Sequence, residues 1–275
     1  MRAINLKTNH LTAPLGMDAG PLFLSWQCVD GVCQTAYEIE LTANGETVWH
    51  SGKVQSAAVH ADAPTVGGSR VRGCWRVRLW DENDTPGAWS EAHFETGLAQ
   101  SDWQGEWVDP ETEEIDIPGD DAINAFARPN WERKQAEKEA AGKGAAEPYK
   151  PHRPASYLRK TFTAPKGAAR LYITAKGLYA VWLNGVRVGD MVLAPGSFTG
   201  NKHIAAQTYD VTRYLRDSEN ELLVALGDGW HRSTGGVDGD RDLFGDTLGV
   251  LFQLEVDGKA VCVSDGSMQA TQCGP

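Results

Sequence analysis

The stretch from Gly227 to Asp246, GDGWHRSTGGVDGDRDLFGD, concentrates groups suited to binding. Asp238, Asp240 and Asp242 alternate as at the opening of an EF-hand loop, whose carboxylate oxygens suit a hard cation such as calcium. The match then stops, because Leu243 stands where that loop needs a glycine for its bend and Gly249 where it needs a bidentate glutamate. A solvated acidic loop is the plainer reading of the same residues. Trp230 follows a strand and two glycines, where an indole can stack on a sugar ring or plug the end of a sandwich. A second candidate lies in GLYAVWLNGVRVGD, Gly177 to Asp190. Asn184-Gly185 is a strong hairpin signal, since both residues tolerate positive φ. Its other reading aims the Asn184 amide at a sugar hydroxyl or a calcium ion, with Asp190 at the far end of the next strand. In LAPGSFTGNKH, Pro195-Gly196 sets a turn, and Thr199, Asn201 and His203 offer hydrogen bonds to a sugar. The carbohydrate set is thus Asn184, Asp190, Thr199, Asn201 and Trp230, and the calcium set is Asn184, Asp190, Asp238, Asp240 and Asp242.

Signals of other chemistry are missing from the sequence. It holds no G-x-S-x-G elbow, no phosphate loop with its Lys-Ser/Thr and no H-x-x-x-H grouping, so His203 and His231 read as solvated loop residues. Cys28, Cys33, Cys74, Cys262 and Cys273 lack C-x-x-C spacing and read as idle thiols, although Cys28 and Cys33 flank the Asp30-Gly31 turn and would be placed to pair if oxidised. With 37 acidic against 26 basic residues, the net charge of -11 argues against nucleic acid or an anionic membrane as the partner. A neutral small molecule or sugar fits better. The opening residues carry no apolar run suited to a signal or a span, which gives the expectation of a cytoplasmic protein.

The elements that must position these groups are strands. Up to Leu98, AYEIEL, ETVWHSGKV, CWRVRLWDEN and WSEAHFETG alternate with period two between the turn signals Asn44-Gly45, Gly67-Gly68 and Pro86-Gly87. In the third of these, Trp75, Val77 and Leu79 form the core face opposite Arg76, Arg78 and Trp80, and Trp89 is expected to close one end of that core. Residues 99–154 are linker and insertion. An acidic run between Asp109 and Asp121 is followed by WERKQAEKEAAGKGAAE, which has helix formers and paired charges but no apolar stripe, so it reads as a solvated helix or a flexible insertion. From residue 155 onward strands return, with YDVTRYLRD as a short helix or turn among them. The fold class is all-β, a sandwich over 1–98 followed by a sandwich or jelly roll over 155–275.

Several segments carry a family resemblance: PASYLRKTFTAP, LYITAKGLYAVWLNGVRVGD, LAPGSFT, QTYDVTRYL, NELLVALGDGW, GVLFQLEV and SDGSMQATQCGP. In this order and spacing they resemble the amino-terminal region of bacterial α-L-rhamnosidases of glycoside hydrolase family 78. QTAYEIEL, VWHSGKV and CWRVRLWDENDTPGAWSEAHFETGL are similar to the fibronectin III/immunoglobulin-like domain of those enzymes. The resemblance implies a fibronectin III-like sandwich followed by a galactose-binding-like jelly roll. It also implies that this chain lacks the (α/α)6 barrel carrying the catalytic carboxylates and is inactive alone, with that carboxy-terminal catalytic domain and a rhamnose-containing glycan or glycoside as its partners. In some members the jelly roll holds L-rhamnose with calcium. A stand-alone lectin-like module and a scaffold domain without ligand are the rival readings.

Overall fold

The structure is a computed structural model that describes residues 1–111, 128–142, 154–199, 202–232 and 244–273. It divides into two units, Met1–Trp103 and Gln104–Pro275. No described helix is long and apolar enough to cross a membrane.

The first unit contains β1 (Arg2–Thr8), β2 (Gly20–Val29), β3 (Ala36–Ala43), β4 (Glu46–His50), β5 (His60–Val66), β6 (Arg72–Trp80) and β7 (Ser90–Glu95). They form antiparallel sheets ordered β1-β2-β5 and β4-β3-β6-β7, the layers of an immunoglobulin or fibronectin III-like sandwich. Alternation builds the core: Leu22, Leu24 and Trp26 of β2 meet Trp75, Val77 and Leu79 of β6, each at most 3% exposed. Both buried indoles find acceptors, Trp75 Nε1 donating to Thr8 Oγ1 at 2.9 Å and Trp26 Nε1 to Gln34 Oε1 at 3.0 Å. Gly73 is needed where β6 passes Phe94, since a Cβ there would lie 2.1 Å from the ring.

Trp89 does not close the core. It lies against the outward side chains of β6, its ring centroid 4.7 Å from the Arg76 guanidinium and 4.9 Å from that of Arg78. Arg78 also sits 5.0 Å from the Trp80 ring, and Lys53 sits 4.8 Å from it. The Pro86-Gly87 turn folds this segment back along β6, with Gly87 N donating to Leu79 O, and cation–π contact with two arginines then fixes the indole outside.

The second unit contains β8 (Ser156–Thr163), β9 (Ala169–Lys176), β10 (Leu178–Leu183), β11 (Val186–Arg187), β12 (Gln207–Asp210), β13 (Glu219–Gly227), β14 (Gly249–Val256), β15 (Lys259–Val263) and β16 (Gln269–Thr271). A sheet ordered β11-β10-β13-β8-β16 faces one ordered β12-β9-β14-β15, a jelly roll. Leu158, Ile173, Leu183, Val224, Phe252 and Leu254 fill the space between them at 0% exposure. Residues 104–108 belong to this unit. Gln104 N donates to Gln253 Oε1, Glu106 N donates to Ser264 O, and Val108 pairs with Val250 beside β14. Gly105 permits the approach, because a Cβ would meet Phe252 O at 2.6 Å. The helix α1 runs over Arg128–Ala140, starting three residues before the charged run read from sequence, and Gly142 follows it at φ +66°. Within Tyr209–Asp217 the only turn of helix is the 3-10 segment Thr212–Tyr214.

Candidate functional site

At one end of the jelly roll, β9 passes into β10 and β13 passes into α2 (Gly229–Arg232). Two glycines let these segments pack closely. Gly177, at φ +111°, would place a Cβ 2.4 Å from Gly227 O, and Gly229, at φ +52°, would place one 2.4 Å from Leu178. The segment after β11 returns to the same end, where Tyr179 N donates to Ala194 O at 2.7 Å. Together they form a small, partly open pocket of mixed polarity lined by Gly177, Pro195, Phe198, Ile204, Trp230 and His231. Its volume is about 20 Å³, enough for one water-sized group. Trp230 lies on its rim at 43% exposure.

Polar groups behind the pocket are paired. The Tyr179 hydroxyl donates to Gln207 Oε1 at 2.8 Å and lies 3.2 Å from that of Tyr209, and Gln207 Nε2 reaches Pro195 O. Burial pushes both phenols above their ordinary pKa, so they stay neutral. On the other side the Arg232 guanidinium holds Asp228 at 2.8 Å, with side-chain exposures of 9% and 10%. His231 is 8% exposed, packed under Gly245 rather than solvated. Burial, followed by the charge of Lys176, keeps its pKa below the ordinary value.

The structure separates the residues proposed from sequence. Asn184 sits at the opposite end of β10 from this pocket, six strand residues or about 20 Å away. Its amide is bound into the fold: Nδ2 donates to Tyr214 O and to Asn220 Oδ1, both at 2.8 Å, and Oδ1 accepts from Glu221 N at 2.9 Å. With φ 55° at Asn184 and 80° at Gly185, the pair makes the tight hairpin that its sequence specifies. Asp190 lies past β11, exposed, where its charge adds to the upward pull on Tyr209. Asn184 and Asp190 therefore do not converge on one ion, because the hairpin arm carries them apart. Among the described residues no group of three or more His, Cys, Asp or Glu is placed to hold a metal. Thr199 is exposed near the pocket, its carbonyl accepting from Lys202 N and His203 N, and His203 packs edge-on to Phe198. Asn201, Asp238, Asp240 and Asp242 lie outside the described residues. Phe198, Ile204 and His231 are pocket residues without a local sequence signal, since only loop closure brings them to Trp230.

Known proteins match both units. Residues 165–275 match the family described as Alpha-L-rhamnosidase N-terminal domain, and residues 3–100 match the Rha78A-like, N-terminal immunoglobulin domain. The chain belongs with the amino-terminal regions of the α-L-rhamnosidases. A curated α-L-rhamnosidase of Formosa agariphila is 35% identical across 98% of this chain and 29% of its own length. The solved α-L-rhamnosidases of Aspergillus terreus (27% identity) and Dictyoglumus thermophilum (26%) superpose on 98% of this chain with TM-scores of 0.75, covering 29% and 30% of their own lengths. As a rhamnosidase amino-terminal region, the chain spans under a third of these relatives.

Proposed function

We propose that this chain is the non-catalytic amino-terminal part of an α-L-rhamnosidase that releases terminal α-L-rhamnose from glycans or glycosides, and that its jelly roll binds a rhamnosyl residue at the Trp230 pocket. The observation that carries this reading is the pairing of a half-exposed indole with a pocket the size of one small group, walled in part by Phe198, Ile204 and Pro195. A sugar ring stacks its C–H face on such an indole. Rhamnose is a 6-deoxy sugar, and its C6 methyl suits the side of the pocket walled by Phe198, Ile204 and Pro195, whereas the added oxygen of a hydroxymethyl would crowd a space of about 20 Å³. Hydrolysis in this reading is the work of carboxylates elsewhere in the full enzyme. Of the calcium set, Asn184 and Asp190 are apart and the three aspartates of 238–242 lie outside the described residues, so calcium is put to the test by chelation.

Calorimetric titration with methyl α-L-rhamnoside tests the reading, with the matching L-mannoside as comparison and a chelator arm for calcium. Binding at the pocket at least tenfold tighter for the rhamnoside than for the mannoside, with loss of that one equivalent in Trp230→Ala, is expected. Absence of heat at millimolar sugar would overturn the binding role and favour a scaffold.

A further inference from the structure

The outer face of the five-stranded sheet of the jelly roll carries a second concavity. Alternation turns Tyr157 and Arg159 of β8, Glu221 and Leu223 of β13, and Gln269 and Thr271 of β16 to the same side. Arg159 lies between Leu223 and Gln269, and Tyr157 lies between Ala225 and Thr271. The six line a groove of about 400 Å³, within the range of small-molecule sites. Its floor is apolar, made by the half-buried Tyr157 ring and Leu223. Its wall is the Arg159–Glu221 pair, Nε to Oε2 at 2.6 Å, with side chains 51% and 41% exposed.

An ion pair so exposed contributes little to stability. It does set donors and acceptors side by side over an apolar floor. An anion in this groove would meet the Glu221 carboxylate and an ammonium would meet the Arg159 guanidinium, so a neutral polyol is favoured over either. Vicinal hydroxyls, each donor and acceptor at once, match the pair. The geometry points to a second pyranose site here, with the ring's C–H face on Tyr157, adjacent hydroxyls bridging Arg159 and Glu221, and Gln269 and Thr271 completing the hydrogen bonds. It rests on the reading that the chain meets rhamnose-bearing glycans, and it takes a second sugar residue of such a glycan. β13 links the two sites, since Ala225, opposite Tyr157, is two residues from Gly227 at the pocket end.

Titration of the full chain with methyl α-L-rhamnoside, by calorimetry and by amide chemical shifts, distinguishes the sites. Two equivalents are expected to bind, moving resonances of both β8 and the loop after β11. Trp230→Ala should leave one equivalent, and Arg159→Ala should weaken the other at least tenfold with unchanged circular dichroism. Tyr157→Ala should reproduce the second loss. If Trp230→Ala removes all binding and β8 resonances never move, the groove is wrong and the pocket stands. If Trp230→Ala keeps full stoichiometry while Arg159→Ala loses an equivalent, the pocket is wrong and the groove stands. No binding by the unaltered chain overturns both.

Discussion

Replacing Asn184 by alanine should unfold the jelly roll more easily and leave its sugar affinity alone. The side chain makes three hydrogen bonds, to Tyr214 O, Asn220 Oδ1 and Glu221 N, and Asn220 itself is fully buried. At about 1 kcal/mol each, their loss costs about 3 kcal/mol. Alanine at φ 55° adds about 1 kcal/mol of left-handed backbone penalty, for a total of about 4 kcal/mol. Glycine escapes the second penalty, so Asn184→Gly should cost about 3 kcal/mol and separate the two contributions. For a unit of this size each kcal/mol moves the midpoint by roughly 2–4 °C, which places the alanine variant roughly 8–16 °C lower. Urea unfolding followed by hydrogen exchange in peptides from β10 and β13 reads this unit apart from the first. Sugar titration well below the melting range should match the unaltered chain within twofold, since the pocket is about 20 Å away along β10. A variant within about 1 kcal/mol of the original stability that has lost sugar binding would refute this account and return Asn184 to the ligand set.

Three other perturbations are predicted. Gly73→Ala forces a Cβ to 2.1 Å from the Phe94 ring in the first unit's core and should cost about 2–3 kcal/mol, measurable as an earlier unfolding transition for that unit alone. His231 is held below its ordinary pKa, so the unfolded chain takes the proton first as pH falls; stability should be complete above about pH 6.5 and decline below it, and His231→Asn should flatten that slope in urea midpoints at pH 8 and 5.5. Asp265 is held down to about 2, first by its hydrogen bond from Lys160, so its contribution is full above the unfolded carboxylate value and is lost as pH falls through about 2; Lys160→Met should move its carbon-13 titration back toward the ordinary range.

Much of the fold is legible in local pattern. The alternation in CWRVRLW correctly divides Trp75, Val77 and Leu79 from the two arginines, because one face of that strand is buried and the other is wet. Strand β5, HADAPTV, gives a weaker signal: its inward residues Ala61 and Ala63 are small and Pro64 interrupts the run. Trp89 shows where a pattern of apolar residues misleads, since its partners are the cations at Arg76 and Arg78 rather than other apolar groups. The Asn184 hairpin is legible as a turn, but its knot is not, because Asn220 lies 36 residues further along the chain. The pocket is the least legible feature. Phe198 and Ile204 come from the segment after β11 and Trp230 from α2, and their meeting depends on the close approaches that Gly177 and Gly229 permit.

The distance between that knot and that pocket has an evolutionary consequence. β13 begins beside Asn184 and ends at Gly227, so the feature that fastens the hairpin and the loops that form the pocket occupy opposite poles of one strand. Insertions, deletions or exchanges in the segments after β11 and β13 can therefore be tried without unfastening the frame. Loop sequence can drift at one pole while selection for foldability acts at the other, and a loop graft from a related domain has a ready-made place to land.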